Sequence, residues 1–580
     1  MIRSPMFGTA ALLLLTACGA AAPSAAPTPS EVRLPESWSL IDRARSVEGA
    51  NGMVVSAHAL ASAAGVEILE AGGNAVDAAV AVGFALAAVH PAAGNIGGGG
   101  FLVHRSSEGD VRALDYREKA PGKATRDMFL DGDGNLTDRS VVGHLAAGVP
   151  GSVAGMSEMH RELGSLPWAR LLEPAIRLAD GHQIDSVRSR LLRGGLDGLS
   201  RLPVTRRTFL DPSGDAWAPG SMWRQPELAE TLRQIAEGGA DAFYTGPIAD
   251  LIVAEMERGG GIISRADLAT YQAAWRTPVT VNYRGYAIHS MPPSSSGGVT
   301  MGQLLNIVEG YDPLPPFGSA ELIHLESEAM RRAFTDRNVY LGDPDFVDMP
   351  VDRLLSEAYA AELRTEILPD QATPTPEFVT AIREGQHTTH YSIVDAEGNA
   401  ASVTTTLNAV FLSGVTVTGA GFLLNQEMDD FAAAPGRPNQ FGLVQGEANA
   451  VAPGKRMLSA MTPSIVVDPG DRLHMVVGAP GGPTIITAVY HVISNVIDHG
   501  MPLADAISAP RTHHQALPDV IQHELDGVID AERTKLEAMG HVLAQYDWGR
   551  FMANVNAVRR TSTGWEGVAD PRLGGAARAY

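Results

Sequence analysis

The sequence predicts a layered α+β fold, and three observations carry that reading. Short apolar strands come in pairs in the last third of the chain. Apolar segments of helical length surround them, and glycine- and proline-rich loops separate the elements. With 580 residues, 45% hydrophobic and 19% charged, there is material for a sizeable core. The 62 glycines and 37 prolines exceed the usual share but stay below a low-complexity composition, so the chain is globular and rich in loops. A net charge of −22 repels phosphate backbones and argues against nucleic acid as a partner.

The single cysteine is Cys18. Arg3 supplies a positive start, residues 10–15 an apolar run, and Leu15-Thr16-Ala17-Cys18 follows. The run is far too short to span a bilayer and reads as an export signal over 1–17. Its ending resembles a bacterial lipobox, which implies a lipidated Cys18 and a membrane-anchored protein in the periplasm or cell envelope. Residues 18–40 then read as an Ala/Pro/Ser-rich tether, with ordered sequence from Ile41.

Along the chain, apolar residues recur at helical spacing over 59–71, and Gly72-Gly73 stops them. Asn74 reads as an N-cap with Asp77 in the first turn. Residues 78–89 carry no charge and predict a buried helix. The glycine run 97–100 lacks the Gly-Lys-Ser/Thr ending of a phosphate loop and is read as close backbone packing where a strand starts. Between 125 and 386 helices alternate with loops, as at 168–179 and 227–237. Residues 283–291 read as one strand, and Gly297-Gly298 opens a helix over 299–309. After 386 come a strand at 391–394, a turn at 395–399 and a strand at 400–407. Strands at 464–467 and 473–477 and an apolar helix at 485–497 complete the pattern.

The chemistry concentrates at His387-Thr388-Thr389-His390. Thr404-Thr405-Thr406 and Asn408 end the partner strand, so a hairpin brings Thr406 to Thr388. A threonine nucleophile needs a base, and its own α-amine serves if the chain is cut between His387 and Thr388. Such an amine has a pKa of about 7.7–8.0 and is partly neutral at working pH.

Here the chain resembles the γ-glutamyltranspeptidase (glutathione hydrolase) family. The likeness runs through Gly73-Asn74-Ala75-Val76-Asp77, His90-Pro91, Gly94-Asn95, Asp115-Tyr116-Arg117-Glu118, the segment 388–408, Met428-Asp429-Asp430-Phe431, Lys455-Arg456, Pro480-Gly481-Gly482 and Asp570-Pro571-Arg572. It implies the four-layer αββα sandwich of N-terminal nucleophile hydrolases, cut into a large subunit (41–387) and a small catalytic one (388–580) that pair as a heterodimer. Thr388 would attack the γ-amide of glutathione or another γ-glutamyl compound. The acyl group would pass to water or to the amine of an amino acid or peptide. No cofactor is implied.

The resemblance also assigns roles. Thr406 would hold the Thr388 hydroxyl and amine. Gly481 and Gly482, before Pro483 at the first helical position, would offer two N–H groups to an oxyanion. Arg117 and Ser459 would bind the donor's α-carboxylate, and Asn408, Glu427 and Asp430 its α-ammonium. His387 with His390, and His513 with His514, have spacings on strand-like sequence that place the paired rings on opposite sides, which disfavours a metal. Three positions depart from the family pattern: Ala460 follows Ser459 where a second serine is usual, Phe441 stands for a tyrosine of the covering loop, and Leu412 replaces a glycine. Two rivals are a β-lactam side-chain acylase, whose glutaryl-like substrate has no ammonium, and a non-catalytic lipid-anchored binding protein.

Overall fold

The computed structural model describes residues 1, 34–40, 42–374, 388–409, 411–546 and 551–580. The export signal from residue 2, Cys18, the tether up to 33, and His387 with the scissile bond lie outside the described residues.

Two seven-stranded antiparallel sheets stack face to face. The first runs Ala576–Ala579, Met53–Ser56, Thr388–Val394, Ala400–Thr406, Gly99–Arg105, Val111–Tyr116, Ala274–Arg276. The second runs Ser46–Gly49, Trp565–Ala569, Asn556–Arg560, Leu473–Gly478, Ser464–Val467, Tyr286–Ser290, Val279–Tyr283. Strand alternation sorts the core. Phe101, Val103 and Val55 pack with Val476 and Ile465 of the facing sheet, whereas Leu102, Val54, Tyr391 and Ile393 pack under the helices Ala59–Glu70 and Ala75–Val89. The helices Gly297–Glu309 and Thr484–Ile497 cover the other side. The result is the αββα sandwich. Because both faces of the first sheet are covered, Gly99–Arg105, Thr388–Val394 and Ala400–Thr406 are buried throughout.

The local signals behave as their chemistry requires. The Asn74 side chain accepts from the Val76 and Asp77 N–H groups, and Asp77 accepts from the Asn74 N–H, closing a capping box on a helix buried at every position. The turn after Val394 is built by Asp395, whose Oδ1 accepts from Glu397 and Asn399, with Gly398 left-handed at φ 91°. In the glycine run, a Cβ on Gly98 would sit 2.1 Å from the Thr406 carbonyl, so close backbone packing is what the run provides.

Two expectations need correction. The single strand over 283–291 is a hairpin, Val279–Tyr283 and Tyr286–Ser290, because Arg284 and Gly285 both turn left-handed (φ 50° and 84°) and reverse the chain in two residues. Packed chain also begins before Ile41: Trp38 is buried, donates from Nε1 to the Ser508 carbonyl at 2.8 Å and meets Phe551 edge-on. Leu40 is buried there too, and Leu34 packs against the cluster of Phe317 and Met501. Among the described residues no helix is long and apolar enough to cross a membrane.

Candidate active site

Thr388 and Thr406 are direct cross-strand partners in the first sheet. The hydroxyls lie 3.4 Å apart, and the Asn408 N–H donates to Thr406 Oγ1 at 2.8 Å. The longer contact is loose for O–H···O, as suits an uncut chain whose Thr388 nitrogen is still an amide. Thr406 is held from behind: Asn95 donates to its carbonyl at 2.9 Å, and Ser152 donates to Asn95 Oδ1 at 2.7 Å. Asn408 adopts φ 77°, a conformation asparagine tolerates, and its Nδ2 donates to the Gln426 carbonyl at 3.1 Å. That bond ties the end of the catalytic strand to the segment carrying Glu427 and Asp430.

Thr388, Thr406, Asn408, Arg117, Asp430, Ser459 and Gly482 border one cavity. Gly481 and Gly482 have φ 143° and 57°, and neither N–H has an acceptor among the described residues. Pro483 caps the helix Thr484–Ile497 rather than opening it, in αR geometry with no N–H of its own. Two free N–H groups beside a buried helix start suit a developing oxyanion.

Arg117 directly follows the strand Val111–Tyr116 and is fully buried. Its Nη2 pairs with Asp430, and its Nη1 lies 2.7 Å from Glu427 and 3.4 Å from Glu118. The Glu427 contact is an ion pair without hydrogen-bond alignment, since neither carboxylate oxygen of Glu427 has a hydrogen-bond partner. Burial works against the Arg117 charge, but Glu427, Glu118 and Asp430 outweigh it and hold the guanidinium firmly protonated. The carboxyls respond in the opposite sense. Burial raises Glu427 well above the usual range and Glu118 to about 7, with Arg117 opposing, and Asp430 is raised for the same reason. These carboxyls titrate as one set.

Ser459 is positioned by its backbone: its N–H donates to the Ser294 carbonyl at 2.9 Å, and its carbonyl accepts from the Ser296 N–H at 2.8 Å. Phe441 covers the cavity with its ring buried among Leu443, Leu458 and Met461, an apolar closure that needs no hydroxyl. Its carbonyl accepts from Gln515 at 3.1 Å. Asp429 fastens the covering loop, accepting from Ser140 at 2.7 Å and from the Gln440 N–H at 3.1 Å, and burial raises its carboxyl to about 6. At the third departure, Phe411 is the left-handed residue (φ 57°) and Leu412 is not, so position 412 has no backbone need for glycine.

The histidines have other work. His390 lies between the sheets, its ring nitrogens each 2.9 Å from the hydroxyls of Thr404 and Ser392, and burial lowers its pKa to about 3. His513 meets Thr487 and Gln515, and His514 meets Asp519 and the Ala516 N–H. Sequence reasoning missed Glu118 as a member of the charged set and Arg337 as a wall of the cavity. For Arg337 the only sequence signal was a helix with charges on every face, which reads as solvated rather than buried.

A family model described as Gamma-glutamyltranspeptidase matches residues 61–580. The Glutathione hydrolase proenzyme of Escherichia coli (strain K12) is 47% identical over 505 residues, 86% of this chain and 87% of that protein. The crystal structure of cephalosporin acylase from Bacillus halodurans matches with a TM-score of 0.82 at 30% identity, covering 97% of this chain and 99% of that one. The crystal structure of Helicobacter pylori gamma-glutamyltranspeptidase matches with a TM-score of 0.55 at 47% identity, covering 57% of this chain and 94% of that one. Matched by the family model over most of its length and by a relative this similar across most of both sequences, the chain belongs to the gamma-glutamyltranspeptidase family.

Proposed function

We propose that the protein is an exported γ-glutamyltranspeptidase and glutathione hydrolase that cuts its own chain before Thr388 and uses that residue as nucleophile. Cleavage frees the Thr388 α-amine. The amine takes the proton from Oγ1 as the oxygen attacks the γ-carbonyl carbon of the donor. The oxyanion sits on the Gly481 and Gly482 N–H groups. As the C–N bond breaks, the proton passes to the departing amine, which for glutathione is cysteinylglycine. The γ-glutamyl ester on Thr388 is then released by water as glutamate, or by an amino acid or peptide amine as a new γ-glutamyl amide. Thr406 keeps the nucleophile in register, Arg117 and Ser459 take the donor's α-carboxylate, and Asn408, Glu427 and Asp430 take its α-ammonium.

The observation that carries this reading is the convergence of the Thr388 side chain, Gly482 with its free N–H, and the Arg117–Asp430 ion pair on a single cavity. Just over half of this chain covers 94% of a solved chain of the family, which supports a mature enzyme made of two separate subunits. Lipid anchoring through Cys18 rests on the sequence motif.

The acylase reading has the structural likeness in its favour. Against it stand Glu427, fully buried, and Asp430, largely buried, two acids that a glutaryl group would leave facing methylenes. The deciding assay compares hydrolysis of γ-glutamyl and glutaryl anilides. We expect faster γ-glutamyl release together with two bands on a gel, the larger about twice the smaller; faster glutaryl release would overturn the assignment.

A further inference from the structure

The cavity holds a second buried guanidinium. Arg337 lies in the helix Ala320–Tyr340, is 2% exposed, and borders the cavity with Arg117, Thr388, Asp430, Ser459 and Ala460. Its Nε donates to Ser296 Oγ and its Nη1 to Asn338 Oδ1, both at 2.9 Å. Its Nη2 donates to nothing among the described residues, and no carboxylate there stands within ion-pairing distance. Burial lowers its pKa to about 10, with Asp430 the opposing charge. An unpaired edge on a buried cation is costly and calls for a partner that arrives with the ligand.

Two relationships say which part of the ligand. First, Ser296 relays Arg337 to the carboxylate-binding turn: its hydroxyl accepts from Arg337 and donates to the Ser459 carbonyl at 2.6 Å. The guanidinium is thereby fixed beside Ser459-Ala460, where a family serine is missing. Second, Arg117 is already engaged by Glu118, Glu427 and Asp430. An anion approaching Arg117 alone meets those acids as well. Arg337 supplies the positive charge that none of them engages at contact distance.

We propose that Arg337 binds the α-carboxylate of the γ-glutamyl donor together with Arg117 and Ser459, making the contact that Ala460 lacks. This rests on the γ-glutamyl reading of the cavity. The test compares γ-glutamyl-p-nitroanilide with the analogue whose α-carboxylate is a carboxamide, on the self-cleaved wild type, Arg337→Met and Arg337→Lys. For Arg337→Met we expect kcat/KM on the carboxylate donor to fall about 100-fold, mainly through KM, the loss of a charge-assisted hydrogen bond. The carboxamide donor should change less than about threefold, since it presents no anion to lose. Arg337→Lys, which keeps the charge and the fold, should recover part of the loss on the carboxylate donor alone. Parallel losses on both donors in either variant would show that Arg337 merely holds Ser296 in place and would overturn the proposal, as would unchanged kinetics. Failure of the wild type on both donors is a different outcome, because it removes the γ-glutamyl reading itself.

Discussion

Arg117 donates to Asp430 at the cavity that Thr388 borders, so the residue proposed for the donor's carboxylate is paired with one proposed for its ammonium. A γ-glutamyl group carries both charges and can open that pair without leaving either partner bare. A ligand with only one of the charges strands the other residue in a buried site. On the proposed roles, the Arg117–Asp430 pair therefore selects for a zwitterion.

Replacing Arg117 by alanine removes the guanidinium from three carboxyls that face it. We expect kcat/KM for a γ-glutamyl anilide to drop by about a thousandfold or more, the scale of breaking a buried ion pair. Arg117→Lys should recover little, because one ammonium cannot reach Glu427, Asp430 and the donor in a fork. Steady-state kinetics on cleaved enzyme decide it, and wild-type values for Arg117→Ala would move the carboxylate site elsewhere.

Thr388→Ala should remain a single chain and show no turnover. The hydroxyl is required twice, once to cut the chain and once to accept the acyl group, and the 3.4 Å neighbour Thr406 is not a terminus and has no amine of its own. N-terminal sequencing checks the first role: working enzyme should yield Thr-Thr-His-Tyr. Turnover by an uncut Thr388→Ala chain would end the mechanism.

Acid should slow chemistry and weaken donor binding through different groups. Burial raises Glu427, Asp430 and Glu118, the last to about 7. A raised carboxyl is neutral below its pKa, so Glu118 loses its charge as pH falls through about 7, and Glu427 and Asp430, raised by burial, lose theirs at a higher pH than ordinary carboxylates, which removes acceptors from the donor's ammonium on the acid side. KM should rise on the acid side, while kcat follows the Thr388 amine near 7.7–8.0. Glu427→Gln removes one titrating group and should flatten the KM profile. A KM independent of pH in the parent enzyme would detach these carboxyls from ammonium binding.

The parts of this site that could be read in the sequence are those whose signal is local. The Thr388–Thr406 pairing followed from strand length and the Asp395 turn, and the helix start at Gly481-Gly482 followed from two glycines before a proline. Arg337 was not legible, because its role depends on Ser296 and Ser459, which reach it only through the fold. The hairpin at Arg284-Gly285 was missed for a related reason: arginine carries no left-handed preference, and the turn is imposed by strand pairing on both sides. Trp38 docks on a surface 470 residues away in sequence, which no window can anticipate.

The helix Ala75–Val89 leads into the Asn95 segment that holds Thr406, so its start bears on the site as well as on stability. Asp77 is fully buried and accepts from the Asn74 N–H at 3.0 Å, the Ser165 N–H at 3.1 Å, the Ser165 hydroxyl at 2.5 Å and the Leu166 N–H at 3.3 Å. Alanine there would strand all of these donors, at a cost of roughly 3 kcal/mol. Asn74→Ala removes a cap and should cost about 1 kcal/mol. Asp77→Asn keeps one acceptor oxygen and should fall between them. Thermal inactivation of the three variants ranks the losses, and the same order should appear in the yield of self-cleaved enzyme, because a loosened helix start slackens the backbone behind Thr406. If Asp77→Ala proved no worse than Asn74→Ala, Asp77 would be an ordinary cap residue, and the tie between this helix and the Ser165 turn would be of no consequence.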